Sequence, residues 1–204
     1  RDFCLSRGLG DVYKRQAKEN VAFVGATGSG KTTILSLIVR NYDIQKGQIL
    51  IDGLDIKKYK IASLRKHIGQ MLQDVFLFSG TVESNITLRS DDISSDIVKE
   101  ACRFVNADKV IDKLPNKYNE IVRERGKNFS SGERQLISFA RVVSHKPNIM
   151  ILDEATSNID TETEALIQDS LKKMMNIGTM LIVAHRLSCL LYTSPSPRDR
   201  QKSR

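Results

Sequence analysis

The stretch GATGSGKT, residues 25–32, fits the pattern GxxxxGK(S/T). Its chemistry is that of holding phosphate. Gly25, Gly28 and Gly30 carry no Cβ, so the backbone can close around an anion and aim N–H groups at its oxygens. Lys31 supplies a positive charge for β- and γ-phosphates, and the Thr32 hydroxyl an oxygen ligand for magnesium. Ala26, Thr27, Ser29 and Thr33 complete the stretch expected to line the loop. From average residue usage, such a pattern turns up in about one random chain of this length in a hundred. The context makes it specific: an apolar run at residues 20–24 ends in glycine, and a helical pattern opens at Lys31.

A second acidic site follows far downstream. Asp153 and Glu154 close the apolar run IMILDE. Ligands of parallel sheets gather beyond the carboxyl ends of the strands. Asp153 is placed to hold magnesium, directly or through water. Glu154 is placed to orient or deprotonate an attacking water, a role that typically contributes about 10²–10⁴-fold. Together the loop and the acidic pair predict binding and hydrolysis of a nucleoside triphosphate.

These side chains need strands that end beside one another. Buried parallel strands are predicted at residues 20–25, 148–154 and 179–185, each a short apolar run without polar alternation. GQILIDG, residues 47–53, alternates between glycines and reads as a further strand, and a short helix runs into a strand near residues 68–72. Helices are predicted at residues 31–40, 131–144 and 160–174. Residues 81–118 are helical but more polar, with Ser and Asp before Ile97, Val98, Ala101 and Val105. The expected fold is α/β, a mainly parallel sheet with helices on its faces and a helical subdomain at about residues 81–145.

A loop and two acids define only a generic phosphate-loop NTPase. The stretch NFSSGERQLISFARVVSHKPNIMILDEATSNID, residues 128–160, is more specific. It resembles the signature helix and second acidic motif of ATP-binding cassette (ABC) ATPases. The family's signature is LSGGQ followed by RQ or QR; here Phe129, Ser130, Ser131, Gly132 and Glu133 precede Arg134 and Gln135. The resemblance covers about residues 18–188, with the motifs in the family's order. It implies the P-loop ABC-ATPase fold, truncated here at both ends, with ATP and Mg2+ as ligands. It also implies a head-to-tail dimer in which the signature of one cassette closes over the γ-phosphate held by the other. Ser130 and Gly132 would then contact the partner's nucleotide. Gln73 resembles the glutamine that senses magnesium and couples to the transmembrane part, and His185 the switch histidine on the γ-phosphate. The segment 157–160 resembles the loop that meets the partner cassette, and Glu124 an acidic loop found in exporters. Segment 74–86, DVFLFSGTVESNI, is similar to exporter cassettes, whose chains carry six membrane helices ahead of the ATPase. A transmembrane domain of the same full-length chain and a location on the cytoplasmic face of the cell membrane are therefore expected. A soluble ABC ATPase acting on DNA or ribosomes, an importer's ATPase subunit and a non-catalytic regulator are the alternatives.

Two residues depart from the family pattern. Ser131 replaces a glycine and Glu133 a glutamine, adding a Cβ and a negative charge where phosphate should approach. Such variants occur in exporter halves that pair as heterodimers, so a homo- or heterodimer is expected, with the heterodimer favoured by these substitutions. His67 and His145 match no motif and are expected to be structural. The upstream aromatic residue that stacks on adenine has no counterpart in this sequence.

The chain has 204 residues and a net charge of +8, a hint of nucleic acid or anionic membrane. Its ends account for much of that charge. The codons of DVYKRQ, residues 11–16, can be the reverse complement of those of CLLYTS, residues 189–194. Residues 1–16 and 189–204 are accordingly expected to be translated sequencing adapter, with the ABC ATP-binding domain at residues 17–188. Without those ends the net charge is +3, an ordinary surface, and no nucleic-acid partner is expected. The three cysteines show no metal or disulfide spacing, and Cys102 is expected to be a small buried hydrophobe. No apolar run approaches the roughly 18 residues that span a bilayer.

Overall fold

The computed structural model describes residues 3–6, 12–15, 20–25, 28–72, 74–153 and 161–184. Strands β1 (Phe3–Ser6), β2 (Val12–Arg15) and β3 (Asn20–Val24) precede helix α1 (Lys31–Ile38). Strands β4 (Gln48–Ile51) and β5 (Leu54–Asp55), helix α2 (Ile61–Lys66) and strand β6 (Ile68–Met71) follow. The helical subdomain then runs through β7 (Gly80–Thr81), α3 (Val82–Thr87), α4 (Ser95–Phe104), α5 (Asp108–Ile111), β8 (Ile121–Val122) and α6 (Ser131–Ser144). Strand β9 (Ile149–Asp153), helix α7 (Thr161–Met174) and strand β10 (Thr179–Ala184) complete the order.

A four-stranded sheet in the order β3-β10-β9-β6 is parallel at every pairing. Strand β9 is buried at every position, which is why its sequence is apolar throughout rather than alternating. Successive side chains leave its two faces in turn. Ile149 and Ile151 join Leu181 and Val183 of β10 in one core, with Leu35 and Ile38 of α1 and Leu64 of α2. Met150 and Leu152 join Met180 and Ile182 in the other, with Leu136, Phe139 and Ala140 of α6 and Ile167 of α7. The parallel sheet is thus the middle of three layers, and the helical subdomain grows from the second core.

The predicted elements recur with small shifts. Helix α1 stops at Ile38 rather than 40 because Arg40 adopts a left-handed φ of 52°, which turns its guanidinium onto the carbonyls of Ile56 and Tyr59 at 3.1 and 3.0 Å. Strand β4 lies outside the parallel sheet, in an antiparallel one of order β2-β1-β4-β5. Residues 12–15 show no strand alternation in sequence yet are extended, as β2 paired with β1. Ladder bonds use the main chain, so a segment without a side-chain pattern can still cover an open strand edge.

Strand β6 packs tightly on α6 at Gly69. A Cβ there would sit 2.5 Å from Cγ1 of Val142 and 2.9 Å from Cγ of Pro147. Overpacking of this kind costs roughly 1–3 kcal/mol. Gly69→Ala should lower the midpoint of chemical denaturation accordingly, and an unchanged midpoint would show that α6 can yield at this contact.

Cys102 is fully buried in the second core, and that burial pushes its thiol up to about 12, against a hydrogen bond with Tyr118 that acts the other way. It is a packing residue, as its sequence context suggested. The two described histidines are also structural. Each sits at a helix C-terminus: His145 donates from Nδ1 to the Arg141 carbonyl at 2.8 Å, and the His67 carbonyl accepts from Asn148 and Ile149. Among the described residues no helix is long and apolar enough to cross a membrane.

Candidate active site

The phosphate-loop residues lie between the end of β3 and the start of α1. Gly28 and Gly30 have φ of 80° and 87°, values that residues with a Cβ adopt only under strain. Gly30 is the N-cap of α1, and no side chain caps that helix. Its first turn also lacks an acidic residue. The N–H groups of Lys31, Thr32 and Thr33 therefore open the helix towards the loop, with the positive end of its dipole behind them. Thr32 and Thr33 are exposed, as ligand-facing hydroxyls must be.

Lys31 is 7% exposed, a low value for a charged residue. Its Nζ donates to the Gly25 carbonyl at 2.6 Å and to Ser29 Oγ at 3.3 Å. The ammonium thus spans the loop and holds it as a ring. A Cβ on Gly25 would come within 3.0 Å of Ser29 Oγ, so the ring closes around a glycine.

Asp153 closes β9 and is 8% exposed. In register it faces Val183 of β10, which in turn faces Phe23 of β3. The carboxylate therefore stands at the same sheet end as the loop, two strand spacings or about 10 Å across. A buried oxygen donor at that end suits a hard cation such as Mg2+. Among the predicted site residues Ala26, Thr27, Gln73, Glu154 and His185 lie outside the described residues, as does the segment 157–160.

The signature residues form the start of α6. Phe129 is buried and anchors the turn. The side chain of Arg134 donates to the Phe129 carbonyl at 2.7 Å. Ser130 is the exposed N-cap, and Gly132 is buried. Here the helix start is filled. Ser130 Oγ accepts from the N–H of Glu133 at 3.2 Å, and Glu133 Oε2 accepts from the N–H of Ser130 at 2.8 Å. The loop before the signature carries exposed Glu124 in a short 3-10 turn, where Arg125 and Gly126 have positive φ.

Two residues with no role assigned from the sequence hold the segment that follows position 73. Asn85, 1% exposed, accepts from the Phe78 N–H at 2.7 Å and donates to the carbonyls of Phe78 and Thr81 at 2.8 and 3.0 Å. Arg141 of α6 donates to the carbonyls of Asn85 at 2.7 Å and Phe76 at 3.3 Å, and burial pushes its pKa down. Their only trace in sequence is a polar residue at a buried helix position. The pairing of β7 with β8 ties this same segment to the loop before the signature.

An open helix N-terminus, a buried lysine across a glycine loop and a carboxylate at the same sheet end define a phosphate-loop nucleotide-binding domain. A family model described as ABC transporter matches residues 13–157. The chain belongs to the ABC transporter family, whose ATP-binding domain hydrolyses ATP to power transport. The probable multidrug resistance ABC transporter ATP-binding/permease protein YheH of Bacillus subtilis is 50% identical over 178 residues, 87% of this chain and 26% of the relative. The putative ABC transporter ATP-binding protein exp8 of Streptococcus pneumoniae is 49% identical, over 84% of this chain and 29% of the relative. The ATP-dependent lipid A-core flippase of Syntrophus aciditrophicus is 47% identical, over 86% and 29%. Among solved structures, a bacterial Atm1-family ABC exporter with ATP bound superposes with a TM-score of 0.82 at 34% identity, over 93% of this chain and 35% of that one. The chain spans less than a third of the length of these sequence relatives.

Proposed function

We propose that this chain is the nucleotide-binding part of a membrane exporter that hydrolyses ATP to ADP and phosphate to drive efflux. The observation that carries it is the uncapped start of α1 with Lys31 folded across the loop, a cradle built for a polyphosphate. The fused ATP-binding/permease architecture named for the relatives supports a transmembrane domain in the full-length protein, with this domain on its cytoplasmic face.

In the proposed reaction the loop N–H groups and Lys31 bind the β- and γ-phosphates. Water attacks the γ-phosphorus, its proton passes to Glu154, and the bond to the β-phosphate oxygen breaks. His185 contacts the γ-phosphate and holds the attacking geometry. Thr32, Gln73 and Asp153 would hold Mg2+, which neutralises charge on the phosphates. A second cassette supplies Ser130 and Gly132 of its own signature, making a dimer with composite sites. The test is phosphate release by the purified full-length protein: magnesium-dependent turnover supports the function, and a folded protein without it would refute it.

The flanks at residues 1–16 and 189–204 are proposed to be adapter-derived, on the complementarity of their codons. Reading the gene across both junctions without ligated adapters checks this. Finding both flanks in the genome would restore them to the protein.

A further inference from the structure

The two helix starts proposed to meet at one phosphate are not alike. That of α1 has no side-chain cap and no acidic residue in its first turn. That of α6 is already occupied by a carboxylate, because Glu133 Oε2 sits 2.8 Å from the Ser130 N–H. Ser130 Oγ is likewise engaged, accepting from the Glu133 N–H at 3.2 Å. The Ser130 N–H is therefore turned onto the chain's own carboxylate, while Ser130 Oγ, an acceptor in the capping box, keeps its proton to donate. The family's usual residue at this position is a neutral glutamine, whereas Glu133 brings a full negative charge. Among the described residues no ion pair neutralises it. Lys113 feels its field, yet the Lys113 ammonium is bonded to Glu162 at 2.9 Å.

We propose that Glu133 is an internal anion that occupies the signature helix start and must leave before the partner's ATP can be clamped. The inference rests on the signature reading of Ser130 given under Proposed function. Closure exchanges one anion for another at the same N–H group: the carboxylate swings out to solvent, and the Ser130 N–H and O–H turn to the γ-phosphate. The carboxylate stays near the incoming phosphate, so part of its repulsion persists in the closed state. The result is a cassette with a raised ATP threshold at the site its own signature completes. Glu133 acts here as a specificity and positioning residue, setting how much ATP is needed rather than the bond-breaking step.

Glu133→Gln is the informative change. Glutamine keeps an oxygen that can accept from the Ser130 N–H, so the capping box and the fold are retained, while the charge is gone. In the full-length protein the KM for ATP should fall roughly five- to tenfold with kcat little changed. The ratio of the two KM values should shrink towards one as salt rises from about 0.05 to 0.3 M, because screening removes the wild-type penalty. A merely structural cap would show no such salt dependence. Glu133→Asp provides the counterpart: it keeps the charge on a shorter arm and should leave KM at or above the wild-type value. Equal KM values for wild type and Glu133→Gln at low salt would overturn the inference while leaving the ATPase standing. So would a lowered KM in Glu133→Asp. A wild-type protein without ATP turnover would overturn the function and the inference with it.

Discussion

Lys31→Ala in the full-length protein is expected to bind ATP at least about 10²-fold more weakly and to lose measurable turnover. Lys31 is buried to 7% exposure, and its Nζ bonds the Gly25 carbonyl at 2.6 Å and Ser29 Oγ at 3.3 Å. Hydrogen bonds from a charged group contribute about 1.5–3 kcal/mol each, and losing two from the ammonium to phosphate oxygens gives the stated loss. The ammonium does two things in turn. In the structure it donates to the Gly25 carbonyl. With ATP, on the proposed function, it would turn to the β- and γ-oxygens, whose negative charge outcompetes a carbonyl and a hydroxyl. Alanine removes the charge and the staple together, while the burial of a methyl group leaves the surrounding core intact. Equilibrium binding of a fluorescent ATP analogue reads the effect. Wild-type affinity in the variant would remove Lys31 from the site.

Glu154→Gln is expected to separate binding from chemistry. The residue follows Asp153, which stands buried at the end of β9 on the phosphate-loop end of the sheet. Glutamine matches glutamate in shape but accepts a proton poorly, so the attacking water loses its base. The loss of a positioned base lowers turnover by about 10²–10⁴-fold. ATP affinity should stay within a few-fold, because the loop and Lys31 are untouched. The variant should therefore retain ATP through gel filtration when wild-type protein has converted it to ADP. Unchanged turnover would exclude Glu154 as the base, and lost binding would make it a structural residue.

Much of this site was legible in the sequence because its chemistry is local. A glycine loop between a strand and a helix has to be contiguous, so eight residues in a row disclose it. Helix α6 was predicted at residues 131–144 and is found there, since its cap immediately precedes it and its acidic N3 position and apolar stripe lie within it. The strands β9 and β10 were legible as unbroken apolar runs, and the structure gives the reason in their burial on both faces. What escaped the sequence depends on distant partners. The alternation of QILI marks a strand with one covered face, but its partners β1 and β5 in an antiparallel sheet are seen only in the fold. Asn85 and Arg141 are 56 positions apart, and only the folded chain shows them clamping the segment after Gln73. The occupied state of the signature helix was half visible: Ser130 and Glu133 have capping-box spacing, but only the distances show both bonds made.

The most direct test is the release of inorganic phosphate from ATP by the purified full-length protein with and without magnesium. Release should saturate with ATP, stop when magnesium is chelated and be abolished in Lys31→Ala. A folded wild-type protein that releases no phosphate, or releases it equally with Lys31 replaced, would contradict the proposed function.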